Sequence, residues 1–371
     1  MKELNDIVLA YDKAVAENKK AALATVVRVE GSSYRRPGAR MLVTEDGDLT
    51  GAISGGCLEG DALRKAQFAM FQQQNKLEIY ETTDEDDARL GVQLGCNGVV
   101  YILFEPIIHE DPNNPINLLK RVASKRKDAI LATVFSPRDK IHQIGTCCFI
   151  NNDEKILLHH FPALETDAQI CLKQKNSVVK EYDDRYVLYQ FIPPSIQLVL
   201  VGAGNDAQSL AELTYLLGWD VIIVDGRPAY ATHYRFPKAA GICMVKASEV
   251  LSAVGIDEQT AVVLMTHNYN YDIAALEQLI PTSCHFIGVL GPKKKFQKML
   301  DDLIGKGIKI TSEAMNRIYG PVGLDIGAET SEEIALSILA EIKAVFSERN
   351  GASLKKRIIE IHERSTIWQH E

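Results

Sequence analysis

Hydrophobic and polar positions divide this chain into segments with different periods. Leu4, Ile7, Val8, Tyr11, Ala14 and Val15 recur at helical spacing, and after a Lys-Lys break the run AALATVVRVE is rich in strand formers. Further strands are expected at residues 40–44 and 49–53, a helix over 57–73, and a strand at 99–106 (VVYILFEP) that closes a first domain. The acidic stretch ETTDEDDARLG between the last two reads as a solvated loop. Beyond Pro193-Pro194, a linker by composition, the runs QLVLVG, DVIIVD, ICMV, AVVLMT and HFIGVLG alternate with amphipathic stretches. Nearly continuous apolar strands of this kind belong to a parallel sheet covered by helices on both faces.

The expected fold class is therefore α/β: a C-terminal Rossmann-like, doubly wound parallel sheet, preceded by an N-terminal mixed α+β domain. The expected boundaries are 1–110, 111–192, 195–347 and a helical tail over 348–371. The segment 111–192 has its own pattern. LLKRVASKRKDAILATVF followed by IGTCCFINNDEKI parallels AVAENKKAALATVV followed by PGARMLVTEDGDL with a one-residue slip. A degenerate repeat and a coincidence of two helix-strand pairs both fit that parallel.

Composition narrows the function classes. With a formal net charge of −8 over 371 residues, the chain lacks the broad cationic field that draws nucleic acids or anionic membranes. No apolar run approaches the roughly 20 residues needed to span a bilayer, and the opening MKELNDIVLAYDKAV places acids where a signal peptide would be apolar. A cytoplasmic protein is expected, with no nucleic-acid or membrane partner. Seven scattered cysteines, none in a two-apart pair, read as reduced thiols. The domain number and the mid-chain parallel suggest a homodimer.

Two regions carry candidate chemistry. In ISGGCLEGD, Cys57 follows Gly55 and Gly56 at the mouth of an expected helix, where orphan amides and the helix dipole favour the thiolate that binds metals or exchanges sulfur. Close by in sequence, GSSYRRPGARMLV sets Arg35, Arg36 and Arg40 around a Pro-Gly turn, a cluster able to grip a phosphate through forked guanidinium groups. Cys96 lies in a second glycine loop, LGCNG. For each cysteine the alternative is a small buried apolar residue.

In the second half, GAGNDA follows a strand, and Asp225 ends the next one. Gly202 would allow the tight turn, Gly204 the approach of a pyrophosphate, and Asp225 a hydrogen bond from a ribose hydroxyl. The alternative is a glycine turn that serves packing, since Asp206 at the helix start would cap free amides and repel phosphate. Lys293 and Lys294, in GPKKK, could hold a phosphate or form a charged first helical turn. His267 could touch a ligand or hold its own loop.

Taken in order, GSSYRRPGARMLV, GAISGGCLEGD, LGCNG, GAGNDAQSLAELTYLLGWDVIIVDGRP, MTHNYNYDIAALE, FIGVLGPKKK and PVGLDIGAETSEEIALSILAEI resemble the XdhC/CoxI family. These are accessory factors of xanthine dehydrogenase and carbon monoxide dehydrogenase. The chain departs from the family pattern at Tyr34, Asn97 and Asn205-Asp206-Ala207. The resemblance implies a non-catalytic protein that binds molybdenum cofactor (molybdopterin), protects it while a cysteine desulfurase supplies the terminal sulfur, and delivers it to a molybdenum hydroxylase. Cys57 would be the molybdenum-contacting thiol. The competing reading is an NAD(P)-dependent oxidoreductase, with His267 as acid or base. A catalytic xanthine dehydrogenase polypeptide is disfavoured, because the cysteine arrays of iron–sulfur clusters are missing.

Overall fold

A computed structural model describes residues 1–56, 58–81, 98–139, 141–159 and 163–357, together with the strand Ile367–Trp368. Cys57 and Cys96 lie outside the described residues. The chain forms two compact units, Glu3–Pro194 with the end of the chain, and Ser195 onward.

The first unit runs α1 (Lys2–Ala16), β1 (Ala21–Gly31), β2 (Arg40–Thr44), β3 (Leu49–Gly51), α2 (Glu59–Gln72), β4 (Lys76–Glu81) and β5 (Gly98–Pro106). It continues α3 (Pro115–Ser124), β6 (Ala129–Phe135), β7 (Gly145–Asn151), β8 (Lys155–Leu157), α4 (Leu164–Gln174), β9 (Val178–Tyr182) and β10 (Arg185–Ile192). The described elements of both halves thus follow one sequence, helix, three strands, helix, two strands. Strand order matches as well: β3-β2-β1-β5-β4 in one sheet and β8-β7-β6-β10-β9 in the other. Register makes the positions equivalent. Thr25 of β1 lies opposite Arg40 and Leu103, while Thr133 of β6 lies opposite Thr146 and Leu188. Leu23 faces Glu105 as Leu131 faces Gln190.

Alternation along the central strands decides the packing. Ala22, Ala24 and Val26 turn towards Ala62, Ala66 and Ala69 of α2, and Ile130, Ala132 and Val134 turn towards Ala168 and Cys171 of α4. The opposite faces share buried clusters. Val27, Leu77 and Leu103 meet their counterparts Phe135, Val179 and Leu188, and Leu23 and Leu131 share a cluster with Ile7 of α1 and Leu119 of α3. Polar groups at equivalent positions also pair across this seam. Arg40 donates to Gln190 Oε1 at 2.6 Å, and Glu105 accepts from the Thr146 amide at 2.6 Å and its hydroxyl at 2.9 Å.

The second unit holds a six-stranded parallel sheet in the order β13-β12-β11-β14-β15-β16, with β11 (Gln197–Val201), β12 (Asp220–Val224), β13 (Gly241–Cys243), β14 (Thr260–Leu264), β15 (Phe286–Val289) and β16 (Ile318–Tyr319). Both faces of β11 are buried. Leu198 and Leu200 pack with residues of α5 (Asp206–Leu216) and α8 (Ser331–Phe346); Val199 and Val201 pack with residues of α6 (Tyr269–Leu279) and α7 (Lys293–Gly305). Chain direction of the build-up reverses between β11 and β14, so the loops leaving their carboxyl ends border the crevice where such sheets collect ligands.

Of the expected helical tail, residues 348–357 and 367–368 are described: they hold a short 3-10 turn at Leu354–Lys356 and the strand Ile367–Trp368 (β17), which pairs parallel with β9, and the rest lies outside the described residues. Among the described residues, no helix is long and apolar enough to cross a membrane.

The seam yields a testable consequence. Burial raises the pKa of Glu105, opposed by the hydrogen bonds from Thr146 and the charge of Arg40. Between an unfolded carboxyl value of about 4.3 and the raised folded value, the native state binds more protons, so stability falls as pH rises through that window, by at most about 1.4 kcal/mol per pH unit. Glu105→Gln should flatten this slope, read as exchange protection of the β1 and β6 amides corrected for intrinsic rates; an unchanged slope refutes the assignment. Thr146→Val, which removes one partner of the buried carboxylate, should cost about 1–3 kcal/mol by the same measurement.

Candidate functional site

The turn between β3 and α2 is anchored at both ends by buried side chains, Ile53 and Leu58, which belong to the core under α2. Between them Gly55 and Gly56 are exposed. Gly56 has φ +110°, a conformation open to glycine, and among the described residues, its chain neighbours aside, no heavy atom lies within 4 Å of where its Cβ would be. The turn is held from inside. Ser54 Oγ accepts from the amides of Gly56 and Leu58, each at 3.1 Å, while Glu59 accepts from the Ser54 amide at 3.0 Å and from its hydroxyl. Position 57, the candidate thiol, is the residue between those two pinned amides.

The arginine loop adjoins this turn. The Tyr34 ring lies 3.4 Å from the point a Gly55 Cβ would occupy, and Arg35 Nε donates to Ala52 O at 3.0 Å. Arg35 also ion-pairs with Glu3. Arg36 is exposed. The expected triad of surface arginines is therefore divided. Arg40 is 3% exposed, directed at Gly38 O and Gln190 in the seam, and burial lowers its pKa to about 10. It is withdrawn from any surface phosphate by its place at the start of β2.

In the second unit the glycine loop is filled by the chain itself. Gly202, at φ +121°, packs so closely that a Cβ would sit 2.5 Å from Met265 O. At Gly204 a Cβ would lie 2.6 Å from Asp206 Oδ1. Asp206 Oδ1 accepts from the Ala207 amide at 3.1 Å, and Oδ2 contacts His267 Nε2 at 2.9 Å. A carboxylate thus occupies the amide-rich start of α5, where a pyrophosphate would rest.

Asp225 is likewise engaged. It accepts from the Ala203 amide at 2.8 Å and, in a fork, from Arg227 Nε at 2.9 Å and Nη2 at 2.7 Å. Burial alone would raise its pKa; the hydrogen bonds from Arg227 and Ala203 outweigh that and hold the carboxyl below its usual range.

Lys293 and Lys294 are exposed in the first turn of α7. The inward lysine is Lys295, whose Nζ donates to Asp272 Oδ2 at 2.6 Å and Leu290 O at 3.2 Å. Asp272 is fully buried and also accepts from the Thr266 hydroxyl at 2.6 Å. Sequence reasoning passed over Asp272, Ser54 and Glu59. Glu59, five residues after Ser54 at a helix start, was the available signal. Residues 321–328 with Leu290, Gly291, Ile334 and Ser337 line a cavity of about 340 Å³ at the carboxyl end of β15. Among the described residues, no group of three or more His, Cys, Asp or Glu is placed to hold a metal ion.

Comparison with known proteins covers both units. The XdhC and CoxI family model matches residues 14–81, and the XdhC Rossmann domain model matches residues 198–342. A Bacillus subtilis (strain 168) protein, named as a probable subunit of xanthine dehydrogenase, is 32% identical over 333 residues, 89% of this chain and 94% of that protein. The molybdenum cofactor insertion chaperone PaoD of Escherichia coli (strain K12) is 24% identical over 333 residues, 90% of this chain and 86% of its own. A crystal structure described as a xanthine dehydrogenase from Bacillus halodurans superposes with a TM-score of 0.75 at 28% identity, covering 93% of this chain and 97% of that one. With both domain models matched and a relative similar over nearly its whole length, the chain belongs to the XdhC and CoxI family.

Proposed function

We propose that this protein binds molybdenum cofactor at the Gly55-Gly56-Cys57 turn and hands it to a molybdenum hydroxylase of the xanthine dehydrogenase type. The observation that carries the reading is the exposed, internally pinned glycine turn leading into Cys57, next to Tyr34 and Arg35. The names of two relatives, one a molybdenum cofactor insertion chaperone and the other a probable part of xanthine dehydrogenase, point the same way.

The residues suit the cofactor chemically. Among the described residues nothing beyond its chain neighbours crowds Gly56, a thiolate is a soft donor for molybdenum, and the arginine loop beside the turn carries guanidinium groups that suit a pterin phosphate. Arg35 is oriented by Ala52 O, on Nε, and by Glu3, on Nη2. When bound, the cofactor supplies the redox chemistry of the client enzyme; this chain holds it and limits its exposure. In this reading a cysteine desulfurase adds the terminal sulfur while the cofactor is held.

Purified together with cofactor-synthesising machinery, the protein should carry a pterin that fluoresces after oxidation, and Cys57→Ala should lose most of it. Retention of the full pterin content by Cys57→Ala removes Cys57 from the reading. The nicotinamide alternative gains nothing from the crevice, where Asp206 fills the phosphate seat and Arg227 engages Asp225. Millimolar NAD should leave the melting temperature unchanged; a ligand at about 100 times its dissociation constant would add about 2.7 kcal/mol, so a clear upward shift would revive the dehydrogenase reading.

A further inference from the structure

The first unit contains its own comparison for deciding which residues of the turn are specialised. Leu58, Glu59, Asp61 and Ala62 open α2 as Leu164, Glu165, Asp167 and Ala168 open α4, and in both halves the leucine and alanine are buried. A scaffold contact is common to the two. Tyr80 of β4 donates its hydroxyl to Asp61 at 2.9 Å, and Tyr182 of β9 donates to Asp167. The glutamates differ. Glu165 accepts from Lys155 at 2.8 Å and Gln169 at 3.2 Å, ordinary surface partners, whereas Glu59 turns back to Ser54. The position equivalent to Ser54 is His160, outside the described residues, so the serine clamp belongs to the sequence of the first half.

Ser54 is fully used in the clamp. Its hydroxyl oxygen accepts two amides, those of Gly56 and Leu58, and its proton goes to Glu59. Donating to a carboxylate polarises the hydroxyl and strengthens both bonds it accepts. The amides held this way flank position 57, so the clamp shapes the backbone on either side of the thiol and keeps two N–H groups from it.

From this clamp we infer that Glu59, acting through Ser54, is a positioning residue for the cofactor-binding turn. The inference rests on the cofactor-binding reading given above. It carries two consequences of opposite sense. Without the clamp the turn loses the shape that retains the pterin, yet the freed amides, and in Glu59→Gln the lost carboxylate, favour the Cys57 thiolate.

The test uses the full chain purified with its pterin, and Ser54→Ala, Glu59→Gln, Ser54→Thr and Glu165→Gln variants. Pterin content is read by fluorescence after oxidation. Iodoacetamide labelling at one pH is followed on the tryptic peptide spanning residues 41–64, in which Cys57 is the single cysteine. Ser54→Ala and Glu59→Gln should lose most of the pterin, while Cys57 in pterin-free protein labels about tenfold faster than in wild type. Ser54→Thr, which keeps the hydroxyl, and Glu165→Gln should match wild type in both. Buried Cys147, Cys148 and Cys171 must stay unlabelled, with melting within about 4 °C of wild type, showing that the unit remains folded. Should Glu59→Gln fail that control, the contrast between Ser54→Ala and Ser54→Thr decides. Wild-type pterin and labelling in Ser54→Ala and Glu59→Gln, alongside loss of pterin in Cys57→Ala, overturns the positioning role alone. Retained pterin in Cys57→Ala overturns the cofactor site and this inference together.

Discussion

Each sheet of the first unit has two apolar faces, one covered by a helix of its own half and the other only in part by α1 and α3, and that mismatch governs the unit. α2 covers Ala22, Ala24 and Val26; α4 covers Ile130, Ala132 and Val134. What remains is a second face on each sheet, with Val27, Leu77 and Leu103 on one and Phe135, Val179 and Leu188 on the other. Every such side chain left in water would forgo about 1.5–3 kcal/mol. The two faces therefore bury one another, and the half without the glycine turn supplies the surface that the other half needs.

The seam sets the fate of Arg40. A guanidinium at the first position of β2 faces into it and meets Gln190, while the equivalent Thr146 reaches Glu105 in the opposite direction. Removing a charge of this kind from water is expensive; Arg40 offsets the cost only in part, since Nη1 holds Gly38 O and Gln190 while Nε and Nη2 are buried without a hydrogen-bond partner among the described residues, whereas Glu105 holds both the amide and hydroxyl of Thr146. Elsewhere the chain's own carboxylates occupy places an anion could take. Glu3 is on Arg35, Asp206 is at the mouth of α5, and Asp225 is in the fork of Arg227. In a chain of net charge −8, these internal pairings restrict the surface cations available for phosphate.

Legibility followed the range of the interactions. Local periodicity is enough for the parallel sheet, since QLVLV and TAVVL are buried on both faces and contain no alternation to misread. It is also enough to put AALATVV and AILATVF on strands, β1 and β6, at the centres of their sheets. Distance along the chain defeats the arginine reading, because nothing near Arg40 announces Gln190 or Glu105. Among the lysines the decisive fact is helical phase. Lys293 and Lys294 begin α7 on its exposed side, and one position later Lys295 turns inward to Asp272. The pairing of Ile367–Trp368 with β9 is likewise beyond composition, which carries no information about an open sheet edge.

Glycine turns are cheap to form and hard to hold, since each glycine keeps many conformations available to the unfolded chain. The turn at Gly55 and Gly56 resolves this with anchors of two kinds. Ile53 and Leu58 fix its ends by burial, and the hydroxyl of Ser54 fixes its interior by accepting two amides. Neither anchor takes space on the outer side, where, chain neighbours aside, no described residue comes within 4 Å of the position of a Gly56 Cβ. In the proposed reading a ligand meets a turn whose ends and interior are already fixed, so less of its binding energy is spent on organising the protein.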